Sequence, residues 1–422
     1  MKKRGGILLL SLLVIVMIGA LTTSVWAAGT TIRYAIWDYS MNLDLKALVE
    51  AFQKENPDIK VDIIDISNAD YSTKMTVMLA GGEDIDAFAI KNFMDYGTYI
   101  SRNYLYPLDE FVKKDKFDLK PYGSALEVIK EKKKLMALPF RSDIYLLYYN
   151  KDLFDKFGVS YPTNDMTWQQ VRETAKKLTS GSGNDITWGF YLHSWRSQVM
   201  NTILPTTKTT LVQGKYAFLK PAYKLFLGMQ NEDKSMMSLG EIITTKTHYR
   251  AFFETGKVGM LYMGTWYIGS LIQDKRKGQH NVNWGIVKGP HWPGEKPGSS
   301  ATVLTTSGIN AKSAKKEAAW KFISFLGGEK GATILAKYGT FPAFRTSAVL
   351  DAYTAAEGFP VGGKAALETA TLVAEMPPHP QSQAIERTLQ EEHDLIMTGQ
   401  KSLDQGIKDM EKRVKEILAD EE

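Results

Sequence analysis

The sequence predicts an α/β fold built on a parallel, doubly wound sheet. Three observations lead there. Strand and helix patterns alternate at close spacing between residues 31 and 90, amphipathic helical patterns recur farther on, and a composition of 44% apolar and 23% charged residues supports a large core. At roughly 150 residues per domain, 422 residues correspond to two or three domains or to one large two-lobed body.

The first strand covers residues 31–37, where Ile32, Tyr34 and Ile36 alternate. Leu45, Leu48, Val49 and Phe52 then fall at i, i+3, i+4 and i+7 of a helix. Asn56-Pro57 stops it, because the residue before a proline is driven out of the helical region. A strand over 61–66, a helix over 73–79 and a strand over 86–90 complete the alternation. In such sheets ligands sit beyond the carboxyl ends of the strands, here Trp37-Asp38-Tyr39, Ser67-Asn68 and Lys91-Asn92. Farther on, Thr167-Trp168-Gln169-Gln170 has the form of a capping box opening a helix with Trp168, Val171, Ala175 and Leu178 on one face. Ala319, Phe322, Ile323 and Leu326 mark another helix, ended by Gly327-Gly328, and the last helix carries Leu403, Ile407, Met410, Val414 and Ile417. Residues 288–300, rich in Pro and Gly, are the main linker candidate.

The N-terminus reads as an export signal. Lys2, Lys3 and Arg4 precede an apolar run over 7–21 and a small polar stretch before Val25-Trp26-Ala27-Ala28. Cleavage after Ala27 places the small residues Val25 and Ala27 at the two positions the peptidase reads. The alternative is an uncleaved anchor, but the run falls short of the ~20 residues that span a bilayer. A lipid anchor would need a cysteine at the cleavage point, and the chain has none. The formal charge of +5 drops to +2 once Lys2, Lys3 and Arg4 leave, so the chain carries no electrostatic footprint for nucleic acid. Absence of cysteine also removes thiol nucleophiles, Fe–S clusters and disulfides. Six scattered histidines form no i, i+4 pair, and no dinucleotide, P-loop or serine-hydrolase motif occurs. The basic run 130–134 reads as a solvated surface. A pair of catalytic carboxylates among the 47 acidic residues stays open, which keeps an extracellular carbohydrate-active hydrolase as a rival reading.

Nine Trp and twenty Tyr are the informative feature. Trp188, Trp195, Trp266, Trp284 and Trp292 lie in Gly-rich or turn-like surroundings. Pyranose rings present apolar C–H faces that lie flat on aromatic rings, while their hydroxyls need polar partners once desolvated.

Gly256-Lys257-Val258-Gly259-Met260-Leu261-Tyr262-Met263-Gly264-Thr265-Trp266 resembles the signature of the family 1 extracellular solute-binding proteins, the sugar-capturing subunits of bacterial ABC importers. Leu138-Pro139-Phe140, Tyr148-Tyr149-Asn150-Lys151-Asp152-Leu153-Phe154, Ser307-Gly308-Ile309-Asn310 and Gly339-Thr340-Phe341-Pro342 are similar to further blocks in the expected order. The stretch 82–88 also matches, with Ile85 and Ala87 in place of the family's Pro and Val. The resemblance implies two doubly wound lobes joined by a hinge, the type II periplasmic-binding-protein architecture, with ligand between them. It implies a signal over 1–27, one lobe of 28–141 plus 300–343 and another of 142–299 plus 344–422, with crossings near 139–143, 297–302 and 341–346.

By position within the family pattern, Trp266 is the aromatic that stacks on a sugar, and Trp37 and Tyr39 touch ligand from the first lobe. Arg141 and Asp143 follow the first crossing, Trp188 and Trp195 occupy the variable block, Trp284 precedes the second crossing and Arg345 lies in the third. Asp65 and Asn92 are candidates from strand-end position alone. The expectation is a non-catalytic, extracytoplasmic monomer that passes a carbohydrate, of oligosaccharide type, to ABC permease subunits, with no metal or cofactor and no nucleic-acid partner. A non-sugar solute such as glycerol phosphate or a polyamine, or a sensory role, is the alternative within the same fold.

Overall fold

The computed structural model describes residues 29–126, 129–131 and 134–419. The signal segment 1–27 and part of the basic run 130–134 lie outside the described residues.

Strand β1 (Thr30–Trp37) pairs in parallel with β2 (Ile59–Ile66) and β3 (Ala87–Ile90), connected by helices α1 (Leu43–Glu55) and α2 (Tyr71–Gly81). The apolar stripe read from the sequence is the buried one: α1 packs Leu45, Leu48, Val49 and Phe52 inward, each worth about 1.5–3 kcal/mol of burial. Asn56 ends the helix, with both its backbone N–H (2.9 Å) and its side-chain amide (3.0 Å) donated to the Phe52 carbonyl. Helix α2 starts two residues before the expected 73 because Tyr71 is drawn into the core, its hydroxyl donating to the Ala89 carbonyl at 2.6 Å. Parallel pairing brings the carboxyl ends of β1, β2 and β3 to one edge. Helix α3 (Phe93–Ser101) leaves that edge, capped by the Asn92 side chain, which accepts the Asp95 N–H at 2.9 Å.

Two long strands then carry the chain between lobes. Strand β4 (Leu138–Asn150) is 13 residues long, roughly 43 Å when extended. Its first half pairs antiparallel with β8 (Ser300–Ile309), and its second half with β6 (Val258–Gly264) and β7 (Trp284–Lys288). Strand β8 joins β3 at one end and β9 (Leu372–Ala374) at the other. The sheet order is therefore β2-β1-β3-β8-β4-β6-β5, with β5 (Trp188–Tyr191) parallel to β6. A register shift at Thr305/Thr306, opposite Pro139–Arg141, breaks the ladder where the two lobes meet. A third crossing packs beside it, the Ala343 N–H donating to the Phe140 carbonyl at 3.0 Å.

The second crossing differs from the expected 297–302. The passage lies within β8, since Thr302 still pairs with Ile144 and Thr306 already pairs with Ile90. The Pro/Gly-rich 288–300 stretch is not an interlobe linker either. It is a loop tied to the second lobe, where the Trp292 indole N–H donates to the Thr202 carbonyl (2.9 Å) and His291 O accepts the Trp168 N–H (3.2 Å). The capping box at Thr167 forms as expected, opening α4 (Trp168–Leu178). Helices α8 (Ser382–Met397) and α9 (Leu403–Ala419), numbered after α5 (Trp266–Arg276), α6 (Lys316–Gly327) and α7 (Glu329–Lys337), close the second lobe, α9 burying Ile407, Met410 and Val414. Among the described residues no helix is long and apolar enough to cross a membrane.

Candidate ligand-binding cleft

A cleft of about 850 Å³ opens where the strand ends of the first lobe face the second. That volume is within the range of small-molecule sites, about 300–1,000 Å³.

The first-lobe wall is made by Trp37, Asp38, Asn68, Lys91 and Asn92, which follow β1, β2 and β3. Asp38 is held in the left-handed region (φ 50°), one that Asp tolerates better than most residues, and its carboxylate accepts the Asn68 N–H at 2.9 Å. Lys91 donates to the Asn68 carbonyl at 3.0 Å and lies 6.0 Å from the Trp37 ring centre. Burial pulls its pKa down, against the pull of Asp95 and Asp38.

At the hinge, Arg141 reaches the cleft while its Nε contacts the fully buried Asp143 at 2.7 Å. Asp143 also accepts the Thr265 hydroxyl at 2.8 Å. Thr265 immediately precedes α5, whose first residue is Trp266.

The second-lobe wall combines Trp266, Tyr145 and Trp195 with Ser197, Glu375, Glu386 and Gln390. Trp266 meets Tyr145 edge-on (5.4 Å between ring centres) and Trp195 at 6.3 Å. Its indole lies against the backbone of Gly264, where an added Cβ would sit 2.0–2.3 Å from three ring atoms. Only glycine leaves that space. Trp195 is 38% exposed, unusually open for an indole. The Tyr145 hydroxyl donates to Glu375 at 2.9 Å, as does the Asn201 amide at 2.9 Å. Buried Arg196 pairs with Glu386 through its Nε at 2.9 and 3.0 Å. Burial raises the Glu375 pKa, and Arg196 opposes that rise.

Of the eleven residues expected at the site, the structure brings five together on the cleft: Trp37, Asn92, Arg141, Trp195 and Trp266. The other six have different positions. Trp188 pairs with Val258, at the end of β6 remote from Gly264, about 20 Å away along the strand, because β5 runs parallel to β6. Trp284 is buried beside Asn150 and stacks on Tyr148 at 6.1 Å, a core position. Asp143 acts behind the wall through Arg141 and Thr265. Asp65 accepts the N–H groups of Tyr39 (2.8 Å) and Ser40 (2.9 Å), holding the turn after Trp37, and Tyr39 packs back on the core. Arg345 lies over the Phe341 ring at 4.2 Å and donates to the carbonyls of Ser142 (2.7 Å) and Pro342 (3.1 Å), pinning two crossings.

Sequence reasoning missed Tyr145, Glu375, Glu386 and Gln390. Tyr145 lies two residues beyond Asp143 on the same face of β4, so strand alternation could have found it. The others come from the chain's last fifth, and no local motif marks them.

The fold and the cleft together define a two-lobed binding protein. Residues 40–333 match the model of the bacterial extracellular solute-binding proteins, and the chain belongs to that family. It is 41% identical to a sugar transporter from Rhizobium etli solved in an open conformation, covering 92% of this chain and 99% of that one with a TM-score of 0.85. An ABC substrate-binding protein from Listeria monocytogenes, solved in complex with cycloalternan, is 25% identical over 93% of this chain and 99% of that one (TM-score 0.79). The melibiose/raffinose/stachyose-binding protein MelE of Bacillus subtilis is 24% identical over 84% of both chains.

Proposed function

We propose that the protein captures a neutral oligosaccharide between its lobes and delivers it to the permease of an ABC importer. The observation that carries this reading is the second-lobe wall, where the Trp266, Tyr145 and Trp195 rings stand beside Glu375, Glu386 and Gln390. Apolar faces with hydroxyl-binding groups at their edge suit a pyranose. The relatives named for sugars support the same class. Contact with both walls at once would favour the closed form by the ligand's differential affinity, through hinge bending.

The charge balance favours a neutral ligand over a phosphate. Four carboxylates (Asp38, Asp44, Glu375, Glu386) and four cations (Lys91, Arg141, Arg250, Lys277) line the cleft. Arg141 and Arg250 are already paired with Asp143 and Asp274, whereas a phosphate site needs cations converging on one point. In this reading Trp266 is the stacking platform, Trp195 extends it, and Trp37, Asn92 and Arg141 contact ligand from the first lobe and hinge. The protein acts without catalysis or cofactor, as an exported monomer freed from its signal at Ala27, with no nucleic-acid partner. Its lobes follow the division 28–141 plus 300–343 and 142–299 plus 344–422, except that the boundary at 300 moves into β8, between Thr302 and Thr306.

A thermal-shift screen over sugars of one to six units tests this. A ligand at 100 times its Kd adds about 2.7 kcal/mol of stability. Saturable stabilisation by a neutral oligosaccharide is expected; no shift with any sugar, or hydrolysis of one at catalytic protein concentration, refutes the reading.

A further inference from the structure

Glu375 follows β9 at the polar end of the second-lobe wall. Its Oε2 is doubly engaged, by the Tyr145 hydroxyl and the Asn201 amide, each at 2.9 Å. Its Oε1 is 3.8 Å from Arg196 Nη2, an ion-pair distance beyond hydrogen-bond reach. Arg196 does not depend on Glu375 for its counter-charge, because Glu386 already grips its Nε and Nη2. The cluster thus holds two carboxylates for one guanidinium, and the surplus acceptor belongs to a side chain that lines the cleft.

We propose that Glu375 is the orienting residue of the site: its Oε1 accepts hydrogen bonds from the hydroxyls of the pyranose stacked on Trp266. This rests on the carbohydrate reading above. Two features support it. The carboxylate is pre-set, since the Glu375 N–H donates to Thr302 on β8 at 3.2 Å while Tyr145 and Asn201 fix the side chain. The platform is near: the Tyr145 ring packs edge-on against Trp266, and its hydroxyl holds Glu375, so one tyrosine spans the distance. An acceptor with surplus negative charge selects hydroxyl donors and rejects uronates and phosphates.

The test takes the sugar that binds most tightly from a panel of melibiose, raffinose, stachyose and maltotriose. Its affinity is measured by calorimetry for the wild type, Glu375→Gln, Glu375→Asp and Trp266→Ala. Glu375→Asp keeps the charge beside Arg196 and retracts the acceptor by one methylene. Both Glu375 variants are expected to bind about 10-fold or more weakly, the scale of a hydrogen bond to a charged group. Monodeoxy derivatives should reveal one hydroxyl whose loss costs the wild type about 10-fold and a folded Glu375 variant far less. Wild-type affinity in either folded Glu375 variant, with Trp266→Ala weakened, overturns the assignment and leaves the carbohydrate reading standing. If no sugar of one to six units binds, both fall.

Discussion

Replacing Gly264 by alanine tests the placement of Trp266 without touching its chemistry. The added Cβ would lie 2.0 Å from the nearest indole atom, where ordinary contact begins near 3.4 Å, so the ring has to move by more than an ångström. Gly264 is an ordinary strand position, paired with Tyr145, so alanine itself suits the backbone. The half-buried indole has the open cleft to swing into, which limits the stability cost to about 1–3 kcal/mol, the usual scale of overpacking. Binding should suffer more specifically. A pyranose face on an indole removes on the order of 100 Å² of apolar surface from water, worth ~2.5 kcal/mol at ~25 cal/mol per Å². Losing most of that weakens sugar binding about 10–100-fold. Calorimetry with the best panel sugar, beside a urea melt to confirm folding, reads both quantities. A folded Gly264→Ala protein with wild-type affinity would show that the observed ring position does not matter, and the stacking argument would fail.

Trp266→Ala should weaken binding by about 1–3 kcal/mol with its melting transition intact, read by the same titration. Arg345→Ala removes the donor shared by Ser142 and Pro342 at the hinge, so we expect about 2–4 kcal/mol lower stability in urea; unchanged stability would mean that the clamp carries no weight. Glu295, beside Trp292, has its carboxyl pKa pushed up to about 7 by burial, against its hydrogen bond from the Trp292 N–H and against His291. A folded pKa above the unfolded value favours folding below about pH 4.5, and that contribution is lost as pH rises through 7. Glu295→Gln should therefore gain stability over the wild type between pH 5 and 7, by up to about 1.4 kcal/mol per pH unit. A pH-independent difference contradicts the burial argument.

The elements that local pattern dictates were legible in the sequence. The i, i+3, i+4, i+7 stripe of α1, its stop at Asn56-Pro57 and the Thr167 capping box all depend on residues within one or two turns. The parallel strand ends forecast Trp37, Asn68, Lys91 and Asn92 at the cleft for the same reason. Trp188 and Trp284 illustrate what was not legible. An indole in a Gly-rich stretch has the same local signal whether it faces the cleft or the core, and only the register with Val258 and Asn150 decides. Asp65 and Arg345, expected as ligand contacts, do not line the cleft: their partners are backbone groups of neighbouring segments, so they hold the site's frame rather than its surface. Glu375 and Glu386 join the wall by long-range packing near the end of the chain, which no short motif encodes.

The most direct test of the central claim is a crystal structure grown with the tightest-binding panel sugar. The account predicts a pyranose lying face-on to Trp266 between the lobes, with the first-lobe wall around Trp37 and Lys91 in contact from the opposite side. A sugar bound outside the cleft, or held in it without touching Trp266, would contradict the account.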